Sequence, residues 1–151
     1  MINEIEERLR EATCLCLGVF SDGDDGLVRL TWLSDDAPFP SEDVDVVYLF
    51  VETADEPISQ QRDVITKSSS GDLVETITEY LLVVQARWVA YGPEASKHAF
   101  LIRDGLFTPR IHAYNRSNNL ALVTNPVIPR RAPEHINGKW RERGCCSQPI
   151  P

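Results

Sequence analysis

Residues 73–107 read LVETITEYLLVVQARWVAYGPEASKHAFLIRDGLF, and the point where this stretch changes period decides the fold. Its second half as far as Tyr91 alternates Val84, Ala86, Trp88 and Ala90 against Gln85, Arg87, Val89 and Tyr91, the period of a strand. A helix competes for so long a run at 73–92. Thr76, Ile77, Thr78, Val83, Val84 and the aromatics favour strand, because branched and ring side chains pack well on a pleated surface. After Gly92 the spacing changes. Ala95, Ala99, Ile102 and Leu106 fall at helical steps, with Gly92 at the cap, Pro93 at the first position and Glu94 in the first turn, where the helix dipole favours an acid.

Upstream, Ile2, Ile5, Leu9, Ala12 and Cys16 form one helical stripe, which puts Cys16 with the apolar face and Cys14 off it. Gly18 is a plausible end. LVRLTWL at 27–33 reads as a short strand, followed by a loop with two prolines. VDVVYLFVE at 44–52 reads as an interior strand, apolar on both faces. Residues 55–72 are too polar for core and long for a connection, and read as an extended polar arm. Downstream, NNLALV at 118–123 is expected as a strand, NPVIPRRAPEHI as a proline-broken connector, and GKWRERGCC as a last strand. The order α, β, β, arm, β, α, β, β predicts a single α+β domain over residues 1–151, a largely antiparallel sheet packed by helices.

A chain of 151 residues, 42% apolar and 25% charged, is long enough to bury a core and is not composed like a disordered one. No apolar run reaches membrane-span length, and the opening MINEIEERLREATCLCL has the wrong order for a signal peptide. The reading is therefore a soluble protein kept in a reducing cytoplasm, its four cysteines free. The net charge of −8 is unevenly placed. Residues 1–60 hold 15 acids and 3 bases (−12), and residues 61–151 hold 8 acids and 12 bases (+4). That balance argues against a uniformly basic nucleic-acid grip. It fits either a solvated acidic face or head-to-tail association between copies.

Few residues suggest chemistry. SDGDDG at 21–26 lacks the glycine and the final glutamate of a calcium loop, since Leu27 and Leu33 stand at those positions counted from Asp22. Cys14-x-Cys16 is tighter than usual zinc spacing, and Cys145 and Cys146 leave opposite faces of a strand. One cysteine from each pair with His135 could converge on a metal; small hydrophobes in a core are the simpler reading. His98, Ala99's neighbour on the helix, reads as a surface or boundary residue. No nucleophile elbow, zinc-protease helix, phosphate loop or dinucleotide fingerprint occurs, so neither a catalytic residue nor a cofactor is assigned. Trp88, Tyr91, Phe100 and Trp140 are read mainly as core, or as aromatic weight at a subunit interface.

Several segments, in order, resemble the neck terminator or tail terminator family of long-tailed bacteriophages. They are VRLTW with its proline loop, EDVDVVYLFVETADEPISQQRDV, GDLVETITEY, ARWVAYGPEASKHAFLIRDGLF, NNLALV and VIPRRAPEHINGKWRER, spanning roughly residues 27–143. The resemblance implies a structural virion protein of the neck, assembled in the host cytoplasm as a hexameric ring. Such a ring ends the tail tube, joins it to the head connector and lets DNA pass without sequence-specific binding. It implies no enzyme activity, no cofactor and no membrane partner. Arg62 and Lys67 on the arm, Arg130 and Arg131 on the connector, and Trp140 and Arg143 become the candidate subunit or neighbour contacts. The chain departs from the pattern at residues 144–151, GCCSQPIP. There Gly144 and two prolines are expected to stop the strand and leave an irregular tail. The alternative reading is a small metal- or nucleic-acid-binding accessory protein using the cysteines and Arg130–Arg131.

Overall fold

The computed structural model describes residues 2–19, 26–30, 40–55, 57, 62–68, 74–122, 128–136 and 138–150. The strand–helix junction that governed the sequence reading is present. Strand β5 (Val84–Tyr91) lies at the centre of a five-stranded sheet, ordered β1 (Val28–Leu30), β2 (Val46–Thr53), β5, β9 (Arg143–Ile150) and β6 (Arg130–Arg131). All its pairings are antiparallel except β1 with β2. Three helices accompany it among the described residues: α1 (Ile2–Leu17), α2 (Ala95–Gly105) and α3 (Pro109–Ser117). The molecule is the expected α+β domain.

The alternation in β5 does what its period requires. Val84, Ala86, Trp88 and Ala90 face the core, opposite Val47, Leu49 and Val51 of β2. Ala95, Ala99 and Ile102 of α2, and Leu106 just past its end, are all buried against that side of the molecule. Trp88 is the largest fully buried side chain among the described residues; its indole Nε1 donates to Thr13 Oγ1 at 2.8 Å, and that hydroxyl donates to Leu9 O at 2.7 Å. The indole N–H, costly to bury alone, is thereby tied to α1. Strand β2 is interior, as expected: Val46, Val47, Tyr48 and Leu49 are buried in succession.

Both outer helices end the same way. After α1, Gly18 has φ 72°, with Val19 N–H donating to Cys14 O (3.0 Å) and Gly18 N–H to Leu15 O (3.3 Å). After α3, Asn119 has φ 57°, with Leu120 N–H donating to Asn115 O (2.8 Å) and Asn119 N–H to Arg116 O (3.2 Å). In each pair a left-handed residue lets the following amides satisfy the last carbonyls. The second cap corrects the strand expected at NNLALV: Asn118 and Asn119 close a helix, and Leu120 turns into the core. Helix α3 itself escaped the sequence reading, although Thr108-Pro109 is a helix-start signal.

Other expectations are corrected by pairing. The run at 73–92 is two strands, not one. Strand β4 (Val74–Tyr80) pairs with β3 (Arg62–Ser68) as a separate two-stranded ribbon, and Leu81, 62% exposed, marks the break before β5. The polar arm at 55–72 is therefore partly strand: Arg62–Ser68 supplies half of that ribbon. Residues 144–150 do not form an irregular tail. Strand β9 runs Arg143–Ile150 in register with β5, so Pro149 stands opposite Gln85 within the ladder. GKWRERGCC is also divided, because Lys139–Arg141 (β8) folds back on Glu134–Ile136 (β7) before β9 begins.

Gly144 explains why a glycine belongs inside β9. A side chain there would come within 2.8 Å of Ala95 O and 3.0 Å of Ala99 Cβ, so its absence lets α2 lie directly on the strand. The acidic turn at 21–25 and the proline loop at 31–39 lie outside the described residues.

Candidate functional site

Four of the six candidate contact residues come together at one end of the sheet. Arg130 and Arg131 form the exposed edge strand β6, opposite Cys145 and Gly144 of β9. Arg143 opens β9, and Trp140 sits on the β7–β8 hairpin that precedes it. Arg62 and Lys67 are elsewhere, on β3 of the ribbon, in register with Tyr80 and Glu75.

The hairpin is fastened by polar contacts from three directions. Glu134 Oε2 accepts from Tyr91 Oη at 2.7 Å and from Arg143 Nη1 at 3.3 Å. Glu142 Oε1 accepts from Ser96 Oγ at 2.7 Å and lies 3.4 Å from Arg131 Nε. Lys139 Nζ is 3.2 Å from Glu42 Oε1, and Arg141 donates to the carbonyl of Pro40. Burial, and then the bond to Glu134, push the Tyr91 hydroxyl far above its ordinary value, so it stays a donor at any physiological pH. Each exposed ion pair contributes at most about 1 kcal/mol, and their joint effect is to fix the orientation of the hairpin.

Trp140 is the exposed feature of this surface. It is 72% exposed, and its ring meets His135 edge-on, centroids 5.2 Å apart. With Val44, Tyr91, Gly92 and Pro93 it lines an open cleft of about 240 Å³ between the hairpin and residues 40–46. An exposed indole beside paired charges is suited to contact a protein surface. The aromatics thus divide: Trp88 is core, while Trp140 and Phe100 (45% exposed) are not.

The sequence reading missed Glu134, Lys139 and Glu142 as parts of this surface, and named Tyr91 only as core or as aromatic weight at an interface. Asn137-Gly138 between HI and KW is a hairpin signal that could have found β7–β8, and Gly138 has φ 81°. The long-range partners, Tyr91 for Glu134 and Glu42 for Lys139, leave no local signature.

The cysteines and histidines do not form a second site among the described residues, where no group of three or more His, Cys, Asp or Glu side chains could hold a metal ion. Cys14, expected off the apolar face, is buried, and Cys16 packs so closely on Gly105 that a side chain added there would lie 2.7 Å from Sγ. Helix α1 meets β1, α2 and α3, so its buried arc is wider than one stripe. His98, expected at the surface or its boundary, is only 9% exposed, because α2 is covered by both α1 and β9.

Burial, with a smaller push from Cys14, raises the Cys16 thiol from an ordinary value of 9.0 to about 12. At pH 8 its thiolate is therefore depleted about a thousandfold relative to the unfolded chain. Iodoacetamide labelling followed by peptide mass mapping should find Cys16 alkylated roughly a thousandfold more slowly in the folded protein than in urea. Similar rates in both would contradict this placement. The neutral thiol is the form that folding favours, so its stabilising contribution is complete below pH 9 and declines as pH rises from 9 towards 12.

With the fold and this surface defined, comparison with known proteins gives a clear result. The family model described as phage neck terminator protein matches residues 3–144, nearly the whole chain. The chain belongs to the phage neck terminator family. No curated protein matches it. As a neck terminator it is a structural component of the phage neck, in a family whose members work with other head and tail proteins. The match ends at Gly144, where β9 has just begun. No helix among the described residues is long and apolar enough to cross a membrane.

Proposed function

We propose that this neck terminator assembles as a hexameric ring at the phage head–tail joint. The whole of residues 1–151 acts as one unit; the ring ends the tail tube and joins it to the head connector. DNA passes through its channel without sequence-specific contact. The single observation that supports the reading is the family match across residues 3–144 on one α+β domain. The protein assembles in the host cytoplasm, needs no cofactor and has no catalytic role. An acidic chain of net charge −8 suits a channel along which DNA slides, since few phosphates would be neutralised.

Arg62, Lys67, Arg130, Arg131, Trp140 and Arg143 are proposed as contacts to neighbouring copies or to the connector and tube. The charge split between the two parts of the chain supports head-to-tail association, which makes a ring when the rotation between copies closes, although part of it is neutralised internally, as by Glu42 with Lys139.

Native mass spectrometry combined with electron microscopy of neck-bearing particles tests this. The expected result is a ring of six 17.0 kDa chains, about 102 kDa, seated between head and tail. A chain that stays monomeric with tail tubes present, and is missing from particles, would overturn it.

A further inference from the structure

Helix α2 carries apolar side chains on both of its faces. Ala95, Ala99 and Ile102 are buried in the domain, while Lys97, Phe100, Leu101 and Asp104 are the exposed residues of the helix. Two of those four are large and apolar. The other helices differ: beyond Ile2 at its start, α1 exposes Asn3, Glu4, Glu7 and Glu11, and α3 exposes chiefly Arg110, His112 and Arg116. An outward apolar arc confined to one helix is the pattern of a face that an assembly covers. Phe107, exposed just past the end of α2, lengthens the strip on the Phe100 side.

The order of the four residues says what fits there. At 3.6 residues per turn they fall within an arc of about 100°, Lys97 and Asp104 along its middle and Phe100 and Leu101 to either side. Lys97 and Asp104 stand about 10 Å apart along the axis, and the midpoint between them falls between Phe100 and Leu101. The face runs cation, apolar, apolar, anion in one direction and the reverse in the other. It is therefore complementary to itself turned end for end. Two antiparallel copies about a two-fold axis set each Lys97 opposite Asp104 of the other copy, with Phe100 meeting Phe100 and Leu101 meeting Leu101. A parallel pairing would set like charges together, so the charges select the antiparallel one.

Both charges are free to turn outward at small cost. Lys97 Nζ lies 2.9 Å from Glu94 Oε1, and Asp104 Oδ1 lies 3.2 Å from Arg103 Nη1. Such surface pairs contribute little. Arg103 also lies over the Phe107 ring, 5.9 Å from its centroid, and keeps that contact when Asp104 is shared.

We propose that a second copy of this chain covers the outward face of α2, helix against antiparallel helix, making a two-fold dimer of the free protein. One helix pair buries a small area, so the dimer is weak and concentration-dependent. The contact closes on two copies, unlike the heterologous contacts of a ring. It uses none of the six residues proposed for those and is independent of the ring reading.

Sedimentation equilibrium of the full-length protein alone, from about 10 µM to about 1 mM, tests it. The mass should rise from one 17.0 kDa chain towards two, about 34 kDa. Lys97→Glu and Asp104→Lys should each dimerise at least about tenfold more weakly, since each brings two like-charge pairs together across the axis. The double variant Lys97→Glu/Asp104→Lys restores both pairs with signs exchanged and should return to within about threefold of wild type. A loss arising inside the helix, through Glu94 or Arg103, would not recover in this way. Leu101→Asp should abolish the dimer, and circular dichroism should show every variant folded, because the changed side chains face water. A wild type that stays at 17.0 kDa throughout overturns the proposal. So does a Leu101→Asp protein that still dimerises, or a double variant as weak as the single ones.

Discussion

Replacing Gly92 by alanine should destabilise the protein by about 3 kcal/mol or more and lower its thermal midpoint by roughly 10 °C. Two independent faults add. The backbone at Gly92 has φ 118°, a conformation that a side chain disfavours. The added Cβ would also lie 2.4 Å from Asp45 Oδ1, 2.7 Å from Asp45 Cα and 2.9 Å from Val44 O. Two of those atoms are backbone, so the segment before β2 must move as a whole. Asp45 cannot simply swing aside either, because its Oδ1 accepts the Glu94 N–H at 2.9 Å ahead of α2. Shifting it loosens the start of the helix. Residues 40–46 also hold Lys139 and Arg141, so the hairpin surface that carries Trp140 should loosen with them. Urea and thermal unfolding measure the first effect; a Gly92→Ala protein within about 1 kcal/mol of wild type would show that the junction can relax.

Truncating Trp88 should be comparably severe, at about 3–5 kcal/mol for Trp88→Ala. The side chain is 1% exposed, within the core shared by β2, α2 and α1, so its removal leaves a void that its neighbours fill only in part. The indole also donates to Thr13, itself 2% exposed. Trp88→Phe separates these contributions by keeping a ring and deleting the donor, and should cost about 1–2 kcal/mol. Thr13→Val removes the acceptor and leaves a buried indole N–H unsatisfied, with a similar cost. If the two single losses added fully in the double variant, Thr13 and Trp88 would not be coupled.

The same residues show where local sequence is informative. The alternation through Val84, Ala86, Trp88 and Ala90 and the helical steps through Ala95, Ala99, Ile102 and Leu106 correspond to real buried faces. A period reports which side of an element avoids water, and that is a local property. Gly18 was legible as a helix end because a left-handed residue is needed there whatever the helix packs against. Strand partnership is different. Val74–Tyr80 and Val84–Tyr91 lie in one run that reads as strand throughout, yet one joins a ribbon and the other the main sheet. The ribbon strand takes its neighbour in sequence, β3, whereas β5 pairs with β2 and β9 from distant parts of the chain, so no window around β5 contains its partners.

The candidate surface divides in the same way. Arg130, Arg131, Trp140 and Arg143 could be singled out as charges and an aromatic on a connector. Only folding brings Tyr91 to Glu134, Ser96 and Arg131 to Glu142, and Glu42 to Lys139. Gly144 was expected to end a strand, since glycine weakens strands in isolation. In the molecule it is the position where α2 presses on β9, and the missing side chain is what makes the pairing possible. Composition and period by themselves determined the α+β class, the buried faces of β5 and α2 and the end of α1 at Gly18, because each depends on neighbours a few residues away. The tertiary structure alone decided sheet membership, the Asp45 contact ahead of α2 and the close approaches at Gly92 and Gly144. Those depend on hydrogen bonds and van der Waals contacts between segments tens of residues apart.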